Sequence, residues 1–505
     1  MCHKRAIPYY IYICVLMAFA SCNSHPALPE TYSETAHRTA IYPDYTDVTI
    51  PCNIAPLNFM VEEAEECVAE IKWNGGSATY GDGNKVQIPT DEWQTMTDKS
   101  KGGSLSVELY TRKQGEWLKH PAFSIHVAQE EIDPYISYRV ISPSYIAYEM
   151  LSINQRNLTD FDETVIYNNM LVSDEVVGQC INCHSYQNYG TDNMQFHMRQ
   201  GHGGTMIVSD GTPRKVNLKT PETISAGVYP AWHPTMKLIA YSTNKTGQSF
   251  HTKNPGKIEV FDSASDLILY DVEKNEVSTI SAEPDEMEIY PWWSPDGRTL
   301  YYASAHFVYN DSVPLDADII ARYFEIKYNI YRRTFNPEEL TFSAAELVYD
   351  ATATGQSATL PRISPCGRYL LFTQGEHGCF HIWHPEADLY LMDLTNGEVR
   401  SLTKANSNCA ESYHSWSSNG RWILFSSRRD DSNYTRLYIA YFDAQGKEHK
   451  AFAVPQEDPA FYHHYLRSYN VPEFMNEPVS ISPQEFAAAA KKEAVQATYK
   501  KTVEK

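Results

Sequence analysis

The sequence is short of basic residues relative to acidic ones. Lysine and arginine together number 42, against 63 aspartate and glutamate residues, so the formal net charge is −21. An acidic surface repels the phosphates of nucleic acids and anionic lipid headgroups alike. We therefore expect no nucleic acid among the partners of this chain, and no membrane binding through surface charge.

Two catalytic motifs are also missing. The chain has neither a Gly-x-Ser-x-Gly elbow nor a His-Glu-x-x-His pair, the signatures of many serine hydrolases and zinc proteases. The segment Gly203-Gly204-Thr205 is glycine-rich, but no lysine follows it, so it predicts a tight turn rather than a phosphate-binding loop. The sequence therefore argues against a hydrolase.

No apolar run is long enough to span a bilayer. The longest, Ile11 to Ala20, follows His3-Lys4-Arg5 and ends at Ser21-Cys22, a pattern that predicts an export signal over residues 1–22. Small residues just before a cysteine resemble the lipobox of bacterial lipoproteins, which implies that Cys22 is lipidated. The alternative is an ordinary cleaved signal with a coincidental cysteine.

Residues 23–44 are polar, without an apolar period, and predict a flexible tether. Directly after Cys22 there is no acidic cluster of the kind that sends some lipoproteins of the Bacteroides group to the cell surface. We therefore expect a lipid-anchored protein in the envelope of a Gram-negative bacterium, on the outer membrane and facing the periplasm.

The length of 505 residues allows roughly three domains. Over residues 45–130, short alternating segments such as Val68–Trp73 and Leu105–Tyr110 are separated by glycine-containing turns, which predicts a small β-sandwich.

Disulfide pairing in an oxidising compartment stays open, because spacing alone gives no distances. The candidates are Cys52, Cys67, Cys366, Cys379 and Cys409.

The segment Cys180-Ile181-Asn182-Cys183-His184 has the spacing of a covalent c-type haem attachment site. On one helical turn, residues three and four apart share a face, so both thiols would reach the haem vinyl groups and His184 would reach the iron. A redox dithiol and half a zinc site are the alternatives, but the context that each needs is not visible. We expect one covalent haem c in a short helical insertion over residues 175–206.

A haem iron used purely for electron transfer needs a sixth ligand. His197 is the first choice, because Arg199 would share its face in an extended segment and could meet a haem propionate. The alternatives are Met194, Met198 and Met206, or an open or water-bound position.

A sequence phrase occurs four times after the haem motif, starting at Tyr229, Tyr290, Leu360 and Tyr413. The intervals exceed the roughly 40 to 45 residues of a minimal propeller blade, and insertions of this kind map to loops. Each phrase leads into a strand, and its Pro-Asp-Gly or variant makes a tight turn. The repeats predict a β-propeller over residues 135–478, with the repeat residues in structural roles.

The phrase Trp293–Arg298 resembles the repeat of TolB-like propellers. Four blades are explicit, Ile141–Tyr148 resembles a degenerate first blade, and the segment around Tyr462–Tyr469 could supply the last, which gives six. The opening Ile50–Phe59, the single haem motif and the blades together resemble TolB-like cytochrome lipoproteins of Bacteroides and relatives. This resemblance implies an exported one-haem protein with a propeller, and no settled reaction.

The expected fold is therefore all-β: an N-terminal β-sandwich, then a six-bladed TolB-like propeller with a short haem-binding helical insertion. Ser482-Pro483-Gln484-Glu485 is typical of a helix start, so residues 482–505 predict a C-terminal helix.

The expected function is electron transfer or redox sensing, with a redox partner or an envelope protein docking on a propeller face. The competing hypotheses are a haem peroxidase-like enzyme and a TolB-like envelope scaffold with a structural haem.

Overall fold

The computed structural model describes residues 25–142, 151–173, 179–252 and 256–500. The predicted export signal and Cys22 lie outside the described residues, as do residues 175–178 of the predicted insertion and most of the predicted first-blade motif. Within the described ranges, no helix combines the length and the apolar character that crossing a membrane requires.

The N-terminal domain is built on one seven-stranded sheet. Its elements are β1 (Ser33–Glu34), β2 (Thr49–Ile50), β3 (Phe59–Met60), β4 (Glu66–Trp73), β5 (Gly76–Tyr80), β6 (Lys85–Val86), α1 (Thr90–Lys99), β7 (Ser104–Lys113), β8 (Glu116–Lys119) and β9 (Phe123–Val127). Strands β3 and β6 pair separately from the large sheet.

The core of this domain explains why it departs from the expected sandwich. Leu105, Val107 and Leu109 alternate along β7, so that one face of the sheet is apolar and buried. The residues that share this core include Trp93 and Met96 of α1 and members of the β3 and β6 pair. A helix and a two-stranded pair thus replace the expected second sheet.

Residues 25–44 lie on the domain and do not extend as a flexible tether. Strand β1 pairs in parallel with β8, and the ring of His25 hydrogen-bonds the Thr79 carbonyl at 3.0 Å. These backbone and side-chain contacts hold the segment on the domain, although its sequence has no repeating pattern of apolar residues that would predict a strand or helix.

In the chain from residue 135 onwards, nearly all regular elements are strands. Its elements, in order, are β10 (Tyr135–Ile141), β11 (Ser152–Asn157), β12 (Glu163–Asn168), β13 (Gln179–Gln187), β14 (Gly190–Gln200), β15 (Gly204–Ser209), β16 (Thr212–Asn217), β17 (Val228–Trp232), β18 (Leu238–Phe250), β19 (Ile258–Asp271), β20 (Glu276–Ser281), β21 (Glu286–Trp293), β22 (Thr299–His306), α2 (Leu315–Arg322), β23 (Asn329–Asn336), β24 (Thr341–Phe342) and β25 (Glu346–Tyr349).

The remaining elements are β26 (Ser357–Ile363), β27 (Tyr369–Gly375), β28 (Asp388–Asp393), β29 (Glu398–Ser401), β30 (Glu411–Trp416), β31 (Trp422–Ser427), β32 (Arg436–Tyr441), β33 (Phe452–Ala453), α3 (Phe461–His464), β34 (Ser468–Met475), α4 (Pro483–Ala490), β35 (Val495–Gln496) and β36 (Thr498–Tyr499).

These strands form a β-propeller, as expected, and in the described residues they divide into six four-stranded groups, two of which are joined into one ten-stranded sheet by the pairing of Ser265 with Met287. From the innermost strand outwards, blade 1 is β34, β10, β11 and β12, blade 2 is β13 to β16, and blade 3 is β17 to β20. Blade 4 is β21, β22, β23 and β25, blade 5 is β26 to β29, and blade 6 is β30 to β33. The innermost strands of neighbouring blades pack against each other around the ring.

The ring is closed by a strand from the C-terminal part of the chain. Strand β34 pairs with β10, so this segment completes blade 1 and does not form a separate last blade. Helix α4 begins as predicted, with a capping box between Ser482 and Glu485, but it ends at Ala490. Strands β35 and β36 follow and extend the outer edges of blades 2 and 3.

One irregularity repeats on the innermost strand of every blade. Each of these strands has a bulge with one non-glycine residue at a positive φ, an uncommon backbone conformation for such residues. These residues are Cys183, Tyr229, Tyr290, Leu360, Tyr413 and Val471. Four of them start the phrases recognised in the sequence, and Cys183 of the haem motif is the blade 2 counterpart.

The predicted helical insertion is therefore wrong for the described part of residues 175–206. The haem motif lies on the innermost strand of blade 2, and the next strand carries Met194, Phe196 and Met198 on its buried face. Spacing of three and four residues is typical of a helical turn, but ladder hydrogen bonds to β14 hold the segment extended on both sides of the bulge.

Candidate functional site: a central cavity lined by the cysteine motif

The propeller encloses a cavity of about 640 Å³ on its axis. This volume lies within the roughly 300 to 1,000 Å³ typical of cofactor and small-molecule sites. All six blades line it, each with residues at or near its inner bulge. The positive-φ residues Cys183, Tyr229, Tyr290, Leu360, Tyr413 and Val471 all contribute.

Both cysteines of the haem motif reach this cavity. Cys180 and Cys183 are partly exposed and unpaired, and burial raises the pKa of the Cys183 thiol. Between them, the Asn182 amide donates a hydrogen bond to the Cys180 sulfur at 3.4 Å and accepts one from Arg139. The bulge thus presents two thiols three residues apart to one enclosed space.

His184 also lines the cavity and is almost completely buried, with 2% of its surface exposed. Burial lowers the pKa of its imidazole to about 3, and the positive charge of Arg139 acts in the same direction. The ring is therefore neutral at ordinary pH, the form that binds a metal. Backbone groups of Ser137 and Val471 oppose this lowering of the pKa. The Nε2 atom nevertheless has no hydrogen-bond partner among the described residues, which is uncommon for a buried polar atom.

Three arginines border the cavity. Arg362 forms a 3.0 Å ion pair with Glu473 and lies 3.6 Å above the ring of Trp292. Arg139 and Arg199 are not paired with a carboxylate in the part of the chain that the structure describes. Guanidinium groups form strong, often bidentate hydrogen bonds with carboxylates, so Arg199, and Arg139 beside its hydrogen bond to Asn182, could each meet an anionic group in this cavity.

Of the predicted residues near the sixth coordination position, only Arg199 lies on the cavity wall. Met194, Met198 and Met206 are fully buried in the apolar core beside blade 1, together with Phe196 and Phe486. His197 lies on the opposite face of β14, buried, with its Nδ1 atom 3.3 Å from the Thr205 hydroxyl. Burial lowers the pKa of His197 to about 3.

The aromatic lining was not predicted as part of a site. Tyr229 and Tyr290 pack edge to face at 4.5 Å, and burial raises the pKa of both phenols far above the ordinary value. Phe380 and Tyr413 complete this side of the cavity. The first residue of each repeated phrase marks these cavity residues in the sequence, but the repeat residues were predicted to have structural roles only.

The described cysteines outside the motif form no disulfide. Cys52 and Cys67 are both free and buried in the core of the N-terminal domain. Cys379 and Cys409 are free and buried, and Cys366 is free and exposed in a blade turn.

The residues on the wall fit a covalently bound haem. They supply two accessible thiols, a neutral imidazole with an unpartnered Nε2 atom, arginines for propionate groups and an aromatic lining. The extended backbone of the motif differs from the expected helical turn, but both thiols and the imidazole still reach one cavity.

A scan of protein-family models finds no match to this chain, and neither does a search of curated proteins. Similar solved structures include TolB from Acinetobacter baumannii, with 12% identity, a TM-score of 0.40 and coverage of 76% of this chain and 85% of that one. Another is a putative 6-phosphogluconolactonase from Bacteroides fragilis, with 11% identity, a TM-score of 0.29 and coverage of 64% and 96%.

Proposed function

We propose that this protein is a mono-haem c-type cytochrome that transfers electrons or senses redox state, with the haem in the central cavity of the propeller. Cys180 and Cys183 would form the thioether bonds, and His184 would bind the iron. The observation that carries this proposal is the unpartnered, buried Nε2 atom of His184 in the same cavity as both thiols.

The charges on the wall support the same proposal. Arg139 and Arg199 come from blades 1 and 2 and flank the motif, so they are suited to hold the two propionates. Arg362 is already paired with the carboxylate of Glu473, so it leaves no net positive charge for a propionate. A bound haem supplies reversible one-electron chemistry, with a potential set by its axial ligands and burial.

The chain's own residues would control access to the group. The Tyr229 and Tyr290 phenols stay neutral, and with Phe380 they form an apolar wall that limits water around the site. A dry environment disfavours the more highly charged oxidation state, so these residues influence the potential.

The location and the partner are part of the same proposal. Lipidation of Cys22 would anchor the chain to the outer membrane on its periplasmic side, and a redox or envelope protein would dock on a propeller face. The lipobox-like segment and the acidic charge of −21 support these two points, the latter by favouring a basic partner.

The test is the visible spectrum of protein made in cells that carry the c-type maturation machinery. The wild type should give a pyridine haemochrome with two thioether bonds, and Cys180→Ala or Cys183→Ala should shift the band or abolish attachment. Cys366→Ala is the matched control, because this cysteine is exposed in a blade turn away from the cavity. Absence of haem from the wild type would overturn the proposal.

A haem peroxidase-like activity is the second candidate function, and the residues that line the cavity support it. In the described residues, the lining has no methionine and no second histidine, so none of the predicted sixth ligands reaches the cavity. An open coordination position is what a peroxidase needs. A high-spin haem with peroxide turnover would support the enzyme, whereas a low-spin haem without turnover would support the electron carrier or a scaffold with a structural haem.

A further inference from the structure

A second cluster of metal-binding side chains lies beside the cavity and plays no part in the haem proposal. Glu259 belongs to β19 of blade 3, while His377 and His384 belong to the loop between β27 and β28 of blade 5. The Nε2 atoms of His384 and His377 lie 3.1 Å and 3.3 Å from the same oxygen, Oε2 of Glu259. One ligand atom from each residue lies within 4.8 Å of the other two.

These distances match the spacing of ligands around a small cation. Zinc bonds of about 2.0 to 2.1 Å at tetrahedral angles place neighbouring ligand atoms about 3.3 to 3.4 Å apart. Two imidazoles and one carboxylate are a common set of protein ligands for zinc and for non-haem iron.

Burial makes the cluster unlike a surface ion pair. Glu259 is 3% exposed and His384 is 5% exposed. His377 and His384 both direct their Nε2 atoms at the Glu259 carboxylate, so this buried charge has close partners. A buried carboxylate needs compensating positive charge, which either imidazolium groups or a cation would provide.

Two neighbouring groups add to the resemblance to a metal site. The Nδ1 atom of His384 is buried without a hydrogen-bond partner in the described residues, and an Oε1 atom of Glu386 lies 3.8 Å from it. Metal-bound histidines usually direct their second nitrogen at such a carboxylate. A third imidazole, that of His251, lies 3.8 Å from Oε2 of Glu259.

We propose that Glu259, His377 and His384 bind one divalent first-row transition-metal cation, for which Zn²⁺ is the probe. Glu259 lies near the start of β19, where it pairs with Ser249 at the end of the β18–β19 hairpin, and the two histidines lie in the connection between β27 and β28. The cation would fasten the long blade 3 hairpin to the blade 5 loop. Phe250, Val260 and Phe380 of the same two segments line the cavity, so the metal would also fix that part of its wall.

The test uses the full chain with Cys180→Ala and Cys183→Ala, so that the motif thiols cannot compete for metal. Calorimetric titration with Zn²⁺ should show one equivalent bound. Titration with Co²⁺ should give the visible bands of a tetrahedral nitrogen and oxygen site without thiolate charge transfer. Because this background carries no thioether haem, failure here is distinguishable from failure of the haem proposal.

The variants Glu259→Gln and His377→Ala should each weaken Zn²⁺ binding by more than about 100-fold, exceeding the usual effect of residues outside the ligand set. His306→Ala is the matched control, since His306 pairs with a single carboxylate, Glu286, at 3.1 Å and is exposed. Binding as tight in both variants as in the parent, or no stoichiometric binding in the parent, would overturn the proposal and leave an ion-pair cluster. Circular dichroism checks that each variant is folded. If His377→Ala does not fold, the result for the isosteric Glu259→Gln variant is used as the test.

Discussion

His184 and His414 occupy equivalent positions on the inner strands of blades 2 and 6, each directly after a positive-φ residue. Burial lowers the pKa of both to about 3. His414 is satisfied within the fold, because its Nε2 bonds the Leu371 carbonyl at 3.2 Å and its Nδ1 lies 3.4 Å from the Thr373 hydroxyl. The backbone of Ser137 and Val471 also acts on the His184 ring, but its Nε2 atom has no hydrogen-bond partner in the described chain, and this difference supports the proposal that His184 is a ligand.

This contrast gives a prediction for the two histidines. If His184 binds the iron of a covalently attached haem, His184→Ala should remove one nitrogen ligand. We therefore expect the visible spectrum of the variant to show a changed spin state. We expect His414→Ala to leave the iron spectrum unchanged but to cost about 1 to 3 kcal/mol of stability, since it leaves buried hydrogen-bonding groups unsatisfied. Visible spectra and urea unfolding measure the two effects, and the same spectrum in His184→Ala as in the wild type would contradict the assignment.

Arg362 and Glu473 form a mostly buried pair, 15% and 12% exposed, on the cavity wall. Arg362→Met should cost about 3 to 5 kcal/mol in urea unfolding, because Glu473 is left without its cation. The control is Arg332→Met, whose partner Glu346 is exposed, and which should cost less than about 1 kcal/mol. Equal costs for the two variants would show that the inner pair is not electrostatically coupled. Adding Glu473→Gln to Arg362→Met should recover part of the loss.

At the scale of the elements, the bulged inner strands account for both the successes and the failures of sequence reasoning. The repeated phrases at Tyr229 and Tyr290 predicted a propeller, because tight turns and alternating strands have local signatures. The haem motif was assigned to a helix, because its spacing is also local, whereas its pairing with β14 depends on the rest of the blade. The non-local contacts that place His197 and Met198 away from the cavity could not be predicted from spacing.

The contact between blades 3 and 4 makes stability depend on pH. Glu288 on β21 is buried beside Ser281, and burial raises its pKa to about 8, with the charge of Asp266 adding to the effect and Arg333 opposing it. Between about pH 4.5 and pH 8 the folded protein keeps a proton that the unfolded chain has lost, so stability falls as pH rises through this window.

Glu288→Gln should remove that part of the pH dependence, because the amide is neutral at every pH. We expect the variant to be more stable than the wild type near pH 8 and to lose this advantage near pH 5. Urea unfolding at both pH values measures the difference. A stability difference between the two proteins that does not vary with pH would show that Glu288 does not titrate in this range.

At the scale of the whole molecule, the N-terminal domain and the propeller share one apolar core. Residues from blade 6, including Trp422, pack with the N-terminal sheet, and the Trp422 indole donates a hydrogen bond to the Glu131 carbonyl at 3.0 Å. The sequence predicted two domains from composition and turn spacing, but their joint core comes from contacts between distant segments. The N-terminal domain therefore packs beside blades 1 and 6, while the cysteine motif lies on blade 2 and the Glu259 cluster joins blades 3 and 5.

The proposed function requires one haem bonded to the motif on the inner strand of blade 2. The most direct measurement is the intact mass of the denatured chain, produced in cells with the c-type maturation machinery alongside a known c-type cytochrome as a positive control. We expect a mass increase of one haem in the wild type and in Cys366→Ala, and none in the Cys180→Ala and Cys183→Ala double variant. An unmodified wild-type mass, in cells that mature the control cytochrome, would contradict it.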